Sequence, residues 1–408
     1  MGKFQKRPYI LKNTIQHYAW GTKNKNGYIP RLLDLNIENE PEKPYAELWI
    51  GIHPKAPSLV EYSKDVISLS RFISKYPEEI LGSQCAEKFD NQLPFLLKVL
   101  SAAEALSIQA HPNKSQAVIL HAKDQVNYPD DNHKPEIAIA LDSLTALVGF
   151  RLYEEWVEVL HEYPEMRRFL RKDFLIQTPR TQDQKQSWQR ELFTTLMKNA
   201  AGESQLLSET LDDLEKRLRQ SAFQLTEQQE LFISLRQKYR NDVGLYSIFL
   251  LNLIQLKKGQ GLFIEPGVPH SYIKGNIVEC MSNSDNVVRA GLTPKFKDID
   301  TLLDILKYDS GPVKILEDHD TLKEFVYKTP MLEFEVSRIR IEQGEIYNNR
   351  CKTIEIILPI EGNGLLLWKN NSIKYIKGKV ILVPASMDDY QLDPHKDSEI
   401  FKVNVPVF

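Results

Sequence analysis

Short apolar runs punctuated by turn residues dominate positions 1–150, as in Ala46-Glu47-Leu48-Trp49-Ile50-Gly51 and Pro94-Phe95-Leu96-Leu97-Lys98-Val99-Leu100-Ser101. Runs of this length and composition predict β-strands, with one helix around Ser68 to Tyr76. From Tyr153 the period changes. Trp156, Val157 and Leu160 recur at helical spacing, and Leu206, Leu207, Leu211, Leu214 and Leu218 repeat it among Glu, Asp, Lys and Arg. Thr226 and Gln229 have capping-box spacing ahead of Leu231-Phe232-Ile233, and Asp242 is placed to cap a helix beginning near Val243. After Gly259 the strand pattern returns and runs to Phe408, interrupted by a short helix at Asp298 to Lys307. The pattern predicts a mainly β fold in which residues 151–250 form a helical insertion.

The same alternation singles out two segments. In Leu106-Ser107-Ile108-Gln109-Ala110-His111-Pro112, Gln109 and His111 share one face of a strand, and Leu106, Ile108 and Ala110 take the other. In Pro135-Glu136-Ile137-Ala138-Ile139-Ala140-Leu141, Glu136, Ala138 and Ala140 oppose Ile137, Ile139 and Leu141. Small side chains beside the carboxylate leave room for an ion or a substrate. A fourth donor, His270, ends the stretch from Gly261 through the Pro266-Gly267 turn, where it stands at a cavity mouth. Two imidazoles, a carboxylate and an amide oxygen suit zinc, and nitrogen and oxygen ligation also admits iron, manganese, cobalt or nickel. A lone histidine or strand glutamine is more often a satisfied or solvent-facing group, so the combination carries the argument. His53, His121, His161, His319 and His395 lack a comparable partner and are expected to be structural or exposed.

Composition narrows the class. A chain of 408 residues exceeds one ordinary core, and 42 % hydrophobic with 26 % charged residues describes a soluble globular protein of two or three packed units. Acids number 55 against 52 bases, for a formal charge of −3, and no basic stripe gives a reason to bind nucleic acid. The longest apolar stretch, Leu245 to Leu256, is broken by Tyr246, Ser247, Asn252 and Gln255 and is too short to span a bilayer. Residues Met1 to Tyr9 carry bases with no apolar run behind them, so no secretory leader is expected. Cys85, Cys280 and Cys351, odd in number and far apart, are read as free thiols of a reducing compartment, the cytoplasm.

Candidate ligands lie on both sides of the helical stretch, so residues 1–150 and 251–318 are expected to form one discontinuous β-domain. Lys258-Gly259-Gln260-Gly261-Leu262-Phe263-Ile264-Glu265-Pro266 is similar to Lys377-Gly378-Lys379-Val380-Ile381-Leu382-Val383-Pro384, and no histidine follows the later copy. A second β-domain without metal is therefore expected at 319–408.

Six ordered motifs, Gln16 to Gly21, Tyr45 to Gly51, Leu106 to Lys114, Asn132 to Glu136, Pro266 to Tyr272 and Glu279 to Asp298, together resemble the type I phosphomannose isomerases of the cupin superfamily. The resemblance weakens in the helical block and toward the C-terminus. It implies tandem cupin-like double-stranded β-helix domains of jelly-roll type with a helical insertion. It also implies one Zn2+ per chain on Gln109, His111, Glu136 and His270, the same four donors read from the strand pattern. The implied reaction interconverts mannose 6-phosphate and fructose 6-phosphate by proton transfer between C2 and C1 through an enediol.

The resemblance further implies an active site holding Lys134, Glu279, Asp285, Arg289 and Lys295. Within that reading Lys134 is the proton shuttle, Glu279 its rival or partner, and Asp285 assists ring opening, a task His133 could share. Arg289 and Lys295 supply fixed positive charge for the phosphate and Ser107 a hydroxyl, although Arg289 could instead lie over the reacting carbons. Trp20 would wall the cavity. The expected partner is a small sugar phosphate, with no nucleic acid or membrane, and the chain is expected to act as a monomer or weak homo-oligomer. Fold alone does not settle activity. The alternative on the same scaffold is a non-catalytic metal-binding cupin that senses a sugar phosphate, and a metal-dependent oxygenase is a weaker third.

Overall fold

A computed structural model describes residues 4–37, 40–62, 65–318 and 322–407, so His319 and Phe408 lie outside the described residues. Two large antiparallel sheets carry the chain. The first runs in the order Ile315–Leu316, Gly261–Ile264, Glu136–Phe150, His270–Ser282, Phe95–Ala102, Glu47–Ile50 and Thr14–Gln16. Leu251–Lys257 pairs with the far half of Glu136–Phe150, and Ile108–Ala110 connects His270–Ser282 to Val288–Gly291. Register shifts between Ala140 and Leu144 and between Thr145 and Ala146 interrupt the long central pair. Such irregularities bend strands, which lets one pair curl around an interior.

Alternation along Glu136–Phe150 does what its pattern predicts. Ile137, Ile139 and Leu141 enter a core shared with the second sheet, beside Leu97, Val99, Val278, Ile356, Leu358 and Val403. Ala138 and Ala140 line the interior of the first unit with Leu100, Leu144, Leu262 and Ile264.

The second sheet runs Glu324–Tyr327, Glu335–Ile341, Asp389–Asn404, Glu355–Trp368, Ile381–Val383, Tyr9–Lys12, Leu59–Tyr62 and Asp65–Ser68. Three strands from the first 150 positions thus add to the second sheet, Tyr9 lying opposite Leu382 and Leu11 opposite Val60. The two similar segments occupy matching places: Ile264 lies opposite Glu136, and Val383 opposite Glu355. Each closes against the first residue of a long strand.

Between Tyr153 and Leu250 the chain is helical. The Thr226 capping box forms with both of its bonds. Trp156, Leu160, Leu207, Leu211, Leu214 and Leu218 are buried in one core, as the helical spacing predicts, with Val157 and Leu206 partly buried against it. Each such side chain contributes about 1.5–3 kcal/mol on burial. The apolar stretch Leu245 to Leu256 is divided, ending the helix Gly244–Leu250 and continuing as the strand Leu251–Lys257. The helix begins one residue later than expected, with Val243 at its N-cap and no side-chain cap bond. Asp242, one place before it, still accepts through Oδ1 from the Gly244 N–H at 2.8 Å and also from the Leu292 N–H at 3.0 Å. That second bond ties the helical block to the strand that carries Arg289. Gly244 and Gly291 meet there, and a Cβ on Gly291 would stand 2.5 Å from the Gly244 Cα. No helix among the described residues is long and apolar enough to cross a membrane.

Candidate metal centre and active site

Strand register builds the donor set. Gln109 lies opposite His270 on the neighbouring strand, His111 follows two residues on, and Glu136 opens the next long strand. A turn at Gly267 supplies the approach: its φ of +85° suits glycine, its N–H donates to the His111 carbonyl at 2.8 Å, and a Cβ would strike the Ile305 carbonyl at 2.8 Å. His111 Nε2 lies 3.2 Å from Glu136 Oε1, His270 Nε2 lies 3.4 Å from Glu136 Oε2, and Gln109 Nε2 is 3.4 Å from His270 Nε2. His111, Glu136 and His270 are buried.

The two imidazole–carboxylate contacts are not hydrogen bonds once the ring protons are placed, whereas Gln109 Nε2 donates to His270 Nε2. His111 Nδ1 donates to the Asn286 carbonyl at 2.9 Å and His270 Nδ1 to the Val268 carbonyl at 3.0 Å. Each ring therefore turns a bare Nε2 lone pair toward the carboxylate. Burial first, and the Lys134 charge second, hold His111 down to about 4, so the ring is neutral. Burial raises the Glu136 carboxyl and the Lys134 ammonium beside it lowers it, the net direction being well below the ordinary value. His111 Nε2 and Glu136 Oε2 are buried without a hydrogen-bond partner among the described residues. Lone pairs facing one another at these distances fit a divalent cation, and the three residues present ligand atoms within 4.8 Å of each other. Half a turn of the Gln109 amide would exchange N and O, aiming Oε1 at the donor set and leaving Nε2 to donate to the Ser107 hydroxyl that now donates to Oε1.

Beside this centre opens a cavity of about 590 Å3, within the usual range for small-molecule sites. Gln109, Glu136, Lys134, Glu279, Ser107, Arg289, Lys295, Asp285 and Trp20 all line it. Lys134 Nζ lies 3.1 Å from Glu136 Oε1. Glu279 sits in a buried cluster with Lys98 and Glu47, and burial together with the Glu136 charge pushes its carboxyl up despite Lys98. The Arg289 guanidinium, on a strand residue opposite Gln109 in register, makes no side-chain hydrogen bond or ion pair among the described residues, although the Asp285 charge acts on it. Lys295 likewise has no carboxylate partner there, and its ammonium lies 5.6 Å from the Tyr18 ring centre. Trp20 stacks on Tyr18 with centroids 5.9 Å apart. Ser107 Oγ donates to Gln109 Oε1 at 3.3 Å.

Two expectations change. His133 is not brought into this cavity: its Nε2 meets Glu333 Oε1 at 2.6 Å, and it lines a neighbouring cavity of about 860 Å3. His53, expected to lack a partner comparable to the ligand set and to be structural or exposed, is buried and reaches a site residue, its Nε2 2.9 Å from Asp285 Oδ1 and its ring 4.4 Å from that of Trp49. Because Lys55 N–H donates to His53 Nδ1, the Nε2 carries the proton and donates to Asp285. Lys55 Nζ holds the other oxygen at 2.8 Å. Of the remaining histidines, His121 bonds the Tyr128 carbonyl, and His161 and His395 are exposed.

The strand pattern did not single out Lys98, Glu47 or Trp49 as site residues. Trp49 Nε1 donates to Glu47 Oε2, and Trp49, Lys98 and Glu279 stand in one cross-strand row. The available signal was a lysine in an otherwise apolar strand, Pro94 to Ser101, and a glutamate in Ala46 to Gly51. Strands buried on both faces seldom carry unpaired charge.

Fold and site together define a metal-binding cupin with a cavity prepared for an anion. Comparison with known proteins narrows this. The family described as phosphomannose isomerase type I matches through its catalytic domain at residues 9–153 and its helical insertion domain at residues 168–251. Mannose-6-phosphate isomerase of Homo sapiens is 40 % identical over 422 residues, covering 97 % of this chain and 98 % of that protein. The enzyme of Rattus norvegicus is 36 % identical over 402 residues, covering 93 % and 94 %. A variant of phosphomannose isomerase from Salmonella typhimurium superposes with a TM-score of 0.87 at 29 % identity, over 98 % of this chain and all (100 %) of that one. A zinc-bound mannose 6-phosphate isomerase superposes with a TM-score of 0.86 at 29 % identity and the same coverage, 98 % and 100 %. The chain belongs to the type I phosphomannose isomerases.

Proposed function

We propose that this protein interconverts mannose 6-phosphate and fructose 6-phosphate by moving a proton between C2 and C1 of the opened sugar through an enediol. One observation carries the reading: a single cavity, opening on Gln109 and Glu136 of the donor set, also gathers Lys134, Glu279 and the two cations Arg289 and Lys295, neither of them ion-paired. A non-catalytic sensor has no use for Lys134 and Glu279 side by side there.

Gln109, His111, Glu136 and His270 would hold one zinc ion, which when bound supplies Lewis acidity toward the sugar oxygens. Lys134 carries the proton between the two carbons. Its Nζ, 3.1 Å from Glu136 Oε1, is already aimed at the donor set. Glu279, pushed up by burial, is its partner in acid–base work. Asp285 is ionised and held by His53 and Lys55, so it assists ring opening as a hydrogen-bond acceptor rather than as an acid. His133 takes no part in that step, because its Nε2 is committed to Glu333. Arg289, Lys295 and the Ser107 hydroxyl take the phosphate. Trp20 and Tyr18 stack and wall one side of the cavity.

The reaction belongs to the first unit, built from segments within 1–150 and 251–318, with 151–250 as insertion and 319–408 as the second, metal-free unit; the family matches at 9–153 and 168–251 support that division. Each chain holds a full donor set, so a monomer or weak homo-oligomer suffices. Three buried, unpaired cysteines fit the cytoplasm.

Incubation of zinc-loaded protein with mannose 6-phosphate in deuterated water should yield fructose 6-phosphate carrying solvent deuterium at C1. No ketose from fully metallated protein would end the isomerase reading.

A further inference from the structure

Lys134 stands on irregular chain. Residues 132–135 belong to no helix or strand, and the ladder begins only at Glu136. A long side chain on such a segment reaches a fixed point only if other contacts hold its backbone. One set comes from the same unit: Asn132 Nδ2 donates to the Asn283 carbonyl at 3.2 Å, and the Asn132 carbonyl accepts from Asn286 Nδ2 at 2.9 Å and Ser284 Oγ at 3.1 Å. The other crosses to the second unit, where Glu333 Oε1 meets His133 Nε2 at 2.6 Å.

Sequence explains why these two residues divide the work. Pro135 holds Lys134 in extended backbone, so consecutive side chains leave on opposite sides. His133 accordingly turns to Glu333, and Lys134 turns to Glu136 Oε1 at 3.1 Å. The His133 and Glu333 side chains retain only 21 % and 17 % of their exposure, so water competes little for the contact between them. Glu333 is itself anchored. Its Oε2 accepts from the Leu332 N–H at 3.1 Å, and the next residue, Phe334, is fully buried in the core between the two sheets.

We infer that Glu333, contributed by the second β-unit, is a positioning residue for the isomerisation: through His133 it fixes the backbone at 132–135 and so the reach of the Lys134 ammonium into the cavity. The inference rests on Lys134 being the proton shuttle. It gives the second unit a part in the reaction beyond covering the first.

The test compares zinc-loaded Glu333→Ala, Glu333→Gln, Lys134→Met and the Glu333→Ala/Lys134→Met double variant, with steady-state kinetics on mannose 6-phosphate, bound zinc and melting temperature measured for each. A displacement of the order of 1 Å costs up to about a hundredfold in rate, so Glu333→Ala should lose about tenfold in kcat with KM within about twofold and zinc unchanged. Glu333→Gln keeps an amide oxygen for His133 and should regain most of that loss. In the Lys134→Met background the Glu333 substitution should cost nothing further, because the group it positions is gone. Should Glu333→Ala fail to fold, Glu333→Asp, one methylene shorter, makes the same comparison. A normal kcat in Glu333→Ala with a slow Lys134→Met overturns the inference and leaves the shuttle standing, as does an equal loss in both backgrounds. A near-normal Lys134→Met overturns the shuttle and the inference with it.

Discussion

Lys98 and Glu279 stand opposite one another on adjacent strands, both buried, with Nζ 3.1 Å from Oε2. Glu47 Oε2 lies 3.6 Å from the same ammonium. Burial opposes the charge on Lys98, but Glu47 and Glu279 prevail and hold it protonated well above its ordinary value. Replacing Lys98 by Met strands two buried carboxylates. Removing one partner of a buried pair costs about 3–5 kcal/mol of stability. It also removes what restrains Glu279 from rising further, so the acid limb of the kcat/KM profile should move to higher pH. An unmoved limb would exclude Glu279 as the titrating group.

Chelation should abolish isomerisation, and zinc should restore it. The facing lone pairs of His111, Glu136 and His270 are then uncompensated, so the stripped protein should also melt at a lower temperature, by an amount that grows with zinc concentration in the reference sample. Calorimetry with and without zinc reads this independently of turnover.

Arg289→Ala should raise KM for mannose 6-phosphate about 10- to 100-fold, since a hydrogen bond to a charged group is worth about 1.5–3 kcal/mol. Lys295→Ala should act in the same direction. If Arg289→Ala instead lowers kcat and leaves KM alone, the guanidinium lies over the reacting carbons and not on the phosphate.

Asp285 governs an acid-sensitive contact. Burial alone would raise its carboxyl, but the bonds from His53 and Lys55 outweigh it and hold the group far below the ordinary carboxylate range. A depressed folded pKa contributes stability that is complete above the unfolded pKa, about 3.9, and is lost as pH falls below it. Asp285→Asn should therefore lower the melting temperature at neutral pH, with the gap to the natural protein narrowing as pH falls from about 4. A gap independent of pH would show that charge is not what these contacts provide.

Lys402 plays a different part in the second unit. It stands opposite Ile357 as Glu279 stands opposite Ala138, and its ammonium bonds Glu324 Oε1 at 2.9 Å, Tyr347 Oη at 3.1 Å and Asn349 Oδ1 at 3.2 Å. Tyr390 and Asn349 satisfy Glu355. Lys402→Met should destabilise the protein by about 3–5 kcal/mol, seen as a lower urea midpoint, with kcat unchanged in the folded fraction.

Much of the site was legible in advance because its information is local. Alternate side chains of a strand must point apart, so placing Ala138 and Ala140 on the interior face needed nothing beyond the order of residues, whereas the strand holding Gln109 ends at Ala110 and His111 lies one residue past it. The Thr226 cap and the Asp242 contact at Gly244 followed from side-chain length and spacing. Lys134, Glu279, Asp285 and Arg289 came from family resemblance, since a lysine or a glutamate has no period of its own.

The sequence alone thus determined which residues share a face and which types can hold a cation. Tertiary structure decided which faces meet: that Lys98 answers Glu279, that His53 answers Asp285, that His133 turns from the cavity to Glu333, and that Tyr9–Lys12 joins the last sheet at Ile381–Val383. Each of those pairings closes a loop of many residues, and its register is set by the competition of whole strands for partners, which no local window contains.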